Sequence, residues 1–247
     1  MRRIVSRGLR AVGDILLPRT CIVCGRTLLL DEKHLCLGCL SDLPETFFWQ
    51  RSHNQMADRF NEIIEKRTGG DHERSAYAAA LFFYHSEAAY RLIPYQIKYH
   101  DNLEAGRHFG KMLGRRLAGS ETFADVDMVV PVPLHWARKW KRGYNQAEVI
   151  ASAVAEAMGG PMRTDLLKRR RRTKTQTKME VKDKVRNVSG AFAASERPGD
   201  IGGLRHLLLI DDVFTTGSTL YACRTALRTI LAPSVRISVA TLGYVGH

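Results

Sequence analysis

The chain has 247 residues, 45% hydrophobic and 26% charged. This is close to average globular usage, which excludes global disorder and leaves enough length for a core without disulfide staples. Thirty-eight Lys and Arg against 25 Asp and Glu give a formal charge of +13, of which +10 lies in residues 138–186; a local excess of that size points to a polyanionic partner such as nucleic acid, a phosphorylated ligand or an anionic membrane.

At the N-terminus Val5, Leu9, Val12 and Leu16 fall on one helical stripe, with Arg2, Arg3, Arg7 and Arg10 elsewhere. The pattern predicts an amphipathic helix docked on the body, with membrane-surface binding as the alternative. The basic start is not followed by the unbroken apolar stretch of a secretory signal; an organellar transit peptide is a further alternative. No apolar run approaches the ~20 residues of a membrane span, so no integral membrane segment is expected. A cytoplasmic location is expected.

Four of five cysteines follow, as Cys21-x-x-Cys24 and Cys36-x-x-Cys39. Each pair lets two sulfurs reach one ion from a tight turn, and two pairs complete a tetrahedral sulfur shell. We therefore expect one structural zinc on Cys21, Cys24, Cys36 and Cys39. Disulfides and an iron–sulfur cluster are the alternatives. His34 is read as a surface residue, and Cys223 as a buried apolar one. Phe47, Phe48 and Trp49 are read as packing of the small domain, with base stacking as the other possibility.

The segment 50–74 holds a short helix with Met56, Phe60, Ile63 and Ile64 as its apolar face, ended by Gly69 and Gly70. A domain boundary is placed there: 1–70 as an N-terminal helix plus a ribbon-like region, and 71–247 as the main domain. Strands are predicted at 78–84, 126–132, 187–194, 207–210 and 235–242. Helices are predicted within 88–117 and at 145–158 and 218–230. Alternation of strands and helices after residue 120 predicts an α/β domain with a parallel sheet. Residues 168–186 read as a basic loop. The wider stretch 138–186 holds 15 basic and 5 acidic residues.

The most informative stretch runs from Leu207 to Thr219. An apolar strand ends in Asp211 and Asp212, and a loop of Thr215, Thr216 and Gly217 opens a helix at Ser218 and Thr219. Amides and hydroxyls at a helix N-terminus suit a phosphate. Two adjacent acids suit vicinal ribose hydroxyls, or Mg²⁺ held through water. A 5-phosphorylated ribose needs both features side by side. The simpler reading is a capped strand–turn–helix.

This stretch resembles the 5-phosphoribosyl-1-pyrophosphate (PRPP) motif of type I phosphoribosyltransferases. The resemblance implies ribose contacts by Asp211 and Asp212, and phosphate contacts by Thr215, Thr216, Gly217, Ser218 and Thr219. Val130-Pro131-Val132-Pro133-Leu134, Arg142-Gly143-Tyr144-Asn145-Gln146-Ala147, Gln176, Arg186-Asn187 and Gly190-Ala191-Phe192 precede it in that order. With the cysteine pairs in front, the chain resembles the ComF family of competence-associated proteins, from about residue 18 to 243. That implies a twisted parallel sheet of the type I phosphoribosyltransferase kind flanked by helices, a small N-terminal zinc ribbon, and a role in DNA uptake. Many relatives carry further metal-ligand cysteines before the main domain; residues 47–76 here contain none, so one metal site is expected.

By the same resemblance, residues 131–134 and the basic segment would hold pyrophosphate with Mg²⁺. Arg142 and Arg186 are candidate pyrophosphate ligands, because a guanidinium grips phosphate oxygens bidentately. Arg169, Arg170, Arg171 and Arg172 are candidate contacts to pyrophosphate or to single-stranded DNA. Asn145 is read as a helix cap or a substrate contact, and Tyr95 and Lys98 as pocket residues. Three functions stay open: a PRPP-binding protein that handles single-stranded DNA, an active phosphoribosyltransferase on an unidentified base, and a zinc-ribbon adaptor docking a competence helicase or translocase.

Overall fold

A computed structural model describes residues 18–69, 75–85, 87–135, 140, 142–170 and 190–246. The expected N-terminal helix, the boundary residues 70–74, and Arg171, Arg172, Lys174, Gln176, Arg186 and Asn187 lie outside these described residues.

The main sheet has four strands in the order β1-β6-β5-β2, all parallel: β1 (Ala78–Phe83), β2 (Met128–Pro131), β5 (His206–Phe214) and β6 (Arg236–Tyr244). These strands are almost wholly buried. That explains why they read as continuous apolar runs and not as alternating ones. A second, two-stranded antiparallel ribbon pairs β3 (Leu167–Arg169) with β4 (Phe192–Ala194). It corrects two expectations. Lys168 and Arg169 belong to a strand and not to a loop, and not every strand after residue 120 joins the parallel sheet.

The helices are α1 (Leu37–Ser41), α2 (Gln55–Thr68), α3 (Leu92–Tyr99), α4 (Leu103–Ala118), α5 (Gln146–Met158) and α6 (Ser218–Leu227). Helix α2 starts where the Asn54 side chain accepts from the Met56 and Ala57 amides, and ends at Gly69 in the left-handed region. It buries Met56, Ala57 and Phe60. Helix α5 starts on Asn145, whose Oδ1 accepts from the Ala147 amide while Nδ2 donates to the Val132 carbonyl. Asn145 is therefore a cap that also ties α5 to the end of β2.

Helices α4 and α5 approach closely because Gly110 and Gly114 face α5. A Cβ on Gly110 would sit 2.8 Å from the Ile150 carbonyl oxygen, and one on Gly114 would sit 2.7 Å from Ala157 Cβ. Residues 44–46 cover the outer edge of β1: the Phe83 amide donates to the Pro44 carbonyl, and Thr46 Oγ1 donates to the Ala80 carbonyl. An edge that would otherwise offer unpaired groups is thereby occupied. Phe48 and Trp49 are buried beside it, so their role is packing.

At the amino end of β5, His206 is fully buried. Its Nδ1 lies 2.6 Å from Asp125 Oδ1, and its Nε2 lies 2.7 Å from Ser238 Oγ, which also accepts from the Tyr77 amide. The network satisfies a polar group that would be costly to bury unpaired. Burial holds the His206 pKa below its ordinary value, against the opposing pull of Asp125.

Among the described residues no helix is long and apolar enough to cross a membrane.

Candidate functional site

Strand β5 lies between β6 and β2, and its carboxyl end carries both acids. The expected strand stopped at Ile210. The observed one continues to Phe214, because its ladder to β6 persists through Asp211↔Thr241, Val213↔Gly243 and Phe214↔Tyr244. Asp211 and Asp212 thus sit within the strand and not at its last residues. Carboxyl ends of parallel strands are where open α/β sheets place ligands.

The turn that follows is built from Thr215, Thr216 and Gly217. Gly217 has φ +72°, and a Cβ there would lie 2.8 Å from Phe214 Cζ and 3.0 Å from Ile63 Cδ1. Only glycine suits both the torsion and the space. Thr216 Oγ1 donates to Ser218 Oγ at 3.0 Å. A shallow cup lined by Asp211, Val213, Phe214 and the five residues Thr215 to Thr219 opens over the start of α6. Amides of the first helical turn point out of such an end and favour an anion.

Asp212 is buried and is held from two sides. Lys98 Nζ, from α3, lies 2.8 Å from Asp212 Oδ2. Gln146 Nε2, at the start of α5, donates to the same oxygen at 3.3 Å, and Gln146 Oε1 in turn accepts from Arg142 Nη1 at 2.6 Å. Burial pushes Lys98 down, but Asp212 and then Asp211 outweigh it and hold the ammonium above its ordinary pKa. Burial, reinforced by the charge of Asp212, pushes the Asp211 carboxyl up to about 7. The Asp212 amide donates to Asp211 Oδ1 at 2.9 Å.

The sequence-expected residues therefore divide. Asp211, Asp212 and Thr215 to Thr219 are contiguous, and Arg142 reaches them through Gln146. Arg169, on β3, has its guanidinium 5.0 Å over the Phe192 ring and pulls the Asp211 pKa downward. Arg170 is exposed and contacts Glu196 at 3.5 Å. The sequence marks Lys98 as a pocket residue; its pairing with Asp212 spans 114 positions and leaves no local pattern there.

The cysteines converge. All four sulfurs lie within 4.8 Å of one another. Cys24 and Cys36 Sγ are 3.7 Å apart, against the ~3.8 Å edge of a tetrahedron with Zn–S bonds of ~2.3 Å. The first pair sits on a knuckle closed by the Gly25 amide donating to the Cys21 carbonyl, with Gly25 at φ +74°. The second pair spans the start of α1, where the Cys39 amide donates to Cys36 Sγ at 3.5 Å. None of the cysteines is in a disulfide. Burial pushes the Cys21 thiol up, but amides of Cys24, Cys36 and Val23 outweigh it and hold it at about 6. A thiol so near to ionisation suits a metal ligand. Tyr90 Oη donates to the Cys39 carbonyl at 3.0 Å and links the second cysteine pair to the segment before α3. His34 is half-buried against His108 and Phe109, and Cys223 is fully buried.

No protein-family profile matches the chain. "Competence protein F" of Haemophilus influenzae is 32% identical over 111 residues, which cover 45% of this chain and 48% of that one. "DNA utilization protein YhgH" of Salmonella typhimurium is 32% identical over 135 residues, covering 52% and 56%. The chain thus spans about half the length of the curated relatives it matches. Among solved structures, the glutamine PRPP amidotransferase of B. subtilis, complexed with ADP and GMP, superposes with a TM-score of 0.34 at 22% identity, over 56% of this chain and 26% of that one. The chain is similar in sequence to proteins named for competence and for DNA utilisation.

Proposed function

We propose that this protein serves DNA uptake or DNA use, and that its β5–α6 turn binds PRPP with Mg²⁺. The observation that carries the reading is the adjacency of two strand-held carboxylates and a Thr/Gly/Ser turn at the N-terminus of α6. Asp211 and Asp212 accept from the ribose hydroxyls. Both contacts to Asp212 fall on Oδ2, so Oδ1 is the oxygen for a hydroxyl. Thr215 to Thr219 hold the 5-phosphate through amides and hydroxyls. Arg142 and Arg169 approach from two other elements and meet the pyrophosphate. Mg²⁺ would supply charge neutralisation on the pyrophosphate oxygens. The four cysteines hold a structural zinc, with no coordination position left for chemistry.

Single-stranded DNA is the second ligand in this reading. The relatives' names support it, and so does the excess of basic residues between 138 and 186.

A thermal melt of the whole protein with PRPP and Mg²⁺ tests the first part. Only the folded state presents the turn, so binding raises the melting temperature by mass action. Asp212→Asn weakens the shift. No shift at millimolar PRPP removes the assignment. Release of pyrophosphate from PRPP, screened with free bases and with single-stranded DNA, separates turnover from binding.

A further inference from the structure

Large aromatic rings are exposed on α3 and just before Arg142. Trp140 is 89% exposed, Tyr99 60% and Tyr95 47%. Tyr95 and Tyr99 sit one turn apart on α3, with ring centroids 5.0 Å apart and planes at 45°. His100 adds a ring 5.3 Å from Tyr95. Arg142 carries its guanidinium 5.5 Å over the Tyr99 ring. Trp140 is two residues before Arg142, so their Cα atoms are within ~7 Å. Between the two tyrosines in sequence, Lys98 turns instead towards Asp212. One face of α3 thus meets the carboxylates, and another presents rings to solvent.

We propose that Trp140, Tyr99 and Tyr95 form a strip on which bases of single-stranded DNA stack, with Arg142 supplying charge between rings and phosphates. The proposal rests on the reading that the protein handles single-stranded DNA, and it adds a site separate from the basic run at 168–172. Three arguments favour a strand. The rings are aromatic and Arg142 lies over one of them; aromatic faces combined with positive charge suit bases and backbone together. The strip offers more than one ring, so it serves successive bases and not one. The rings are open to solvent, whereas a free base acting as a small ligand needs a slot that encloses most of its surface.

The experiment measures affinity of the whole protein for a fluorescent oligo(dT) strand across a salt series. Each ring removed should cost about tenfold in affinity. The double variant Trp140→Ala/Tyr99→Ala should therefore lose on the order of a hundredfold, with the salt slope unchanged because no phosphate contact is lost. Trp140→Phe should restore most of its share, since a ring remains. Trp140 is almost wholly exposed, so Trp140→Ala should keep the native melting temperature and is informative even if Tyr99→Ala weakens the fold. An abasic strand of the same length should bind the native protein about as weakly as the double variant binds oligo(dT).

If the native protein binds no oligo(dT), the DNA-handling reading falls and the strip falls with it. If it binds, but the double variant and the abasic strand bind within about twofold of the native pair, the strip alone is overturned. Displacement of the strand from the rings by millimolar free thymine would assign a single-base slot and overturn the strand.

Discussion

Lys98 Nζ lies 2.8 Å from Asp212 Oδ2, across the gap between α3 and the central strand β5. The Asp212 side chain is 7% exposed and that of Lys98 29%. Removing the cation leaves a carboxylate with Gln146 as its remaining side-chain donor among the described residues. Breaking a buried pair this way costs ~3–5 kcal/mol, and partial exposure of Lys98 moves the expectation to about 1–3 kcal/mol. Lys98→Met should lower urea stability by that amount. The double variant Lys98→Met/Asp212→Asn should recover much of the loss, because no lone charge is left behind.

Asp211 carries a testable pH dependence. Its folded pKa is about 7, above the ordinary value of ~3.9. Between these values the folded state binds more protons than the unfolded one, so stability falls as pH rises through that window. Above about 7 the contribution is fully lost. Melts of the native protein should therefore decline from pH 5 to pH 7.5 relative to Asp211→Asn, in which this titration is absent. Ligand binding should run the other way. If the ionised carboxylate accepts the ribose hydroxyl, the PRPP-dependent rise in melting temperature should be larger at pH 8 than at pH 6. Equal shifts at the two pH values would remove Asp211 from the ribose contact.

Gly217 tests the turn itself. Its left-handed torsion and the 2.8 Å approach to Phe214 Cζ leave no room for a side chain. Gly217→Ala should destabilise by about 1–3 kcal/mol and should weaken the PRPP effect together with stability. A melt of the variant with and without PRPP checks both.

The elements legible in sequence are those with a strong local signature. Helix α2 shows its apolar face at Met56 and Phe60 and its stop at Gly69. The turn from Thr215 to Thr219 is written in five consecutive residues. The four cysteines announce their site by spacing. What was not legible depends on partners distant in the chain. The continuation of β5 past the two acids to Phe214 is set by its ladder to β6. The β3–β4 ribbon pairs Arg169 with Phe192 across the basic run, and charge alone marks that run as a loop. The close approach of α4 and α5 rests on Gly110 and Gly114, whose meaning appears only once α5 lies opposite. Tyr99 and Trp140 sit in an ordinary helix and beside a basic stretch, and neither has a pattern that says its ring is exposed.

Zinc should be found at one per chain. A metal held by four thiolates would supply folding energy to the cysteine segment. Cys36→Ser removes one ligand and the amide contact from Cys39. Metal analysis of the purified variant should show loss of most zinc, and Tyr90 should lose its carbonyl anchor on Cys39. Iron at unit stoichiometry in the native protein would replace zinc in the assignment.

The basic run gives the last prediction. Eleven basic residues against three acids lie between Arg163 and Arg186. Non-specific binding of a single strand through phosphates releases counterions, and log affinity falls by about 0.7 per log unit of salt for each phosphate neutralised. Replacing Arg169, Arg170, Arg171 and Arg172 with Ala would flatten that slope by up to about three units if all four touched phosphates. Arg169, however, lies over Phe192 and acts on Asp211, so it belongs with the acids. The expected loss is therefore about two units, from the other three. Arg169→Ala alone should leave the DNA slope unchanged and weaken the PRPP effect on melting. Anisotropy of a labelled oligonucleotide across a salt series reads the first, and the melt reads the second. An unchanged slope in the four-Ala variant would make the run a solvated segment and leave DNA binding to the aromatic face. A slope lost entirely to Arg169→Ala would instead place that residue on the strand and free the acids of it.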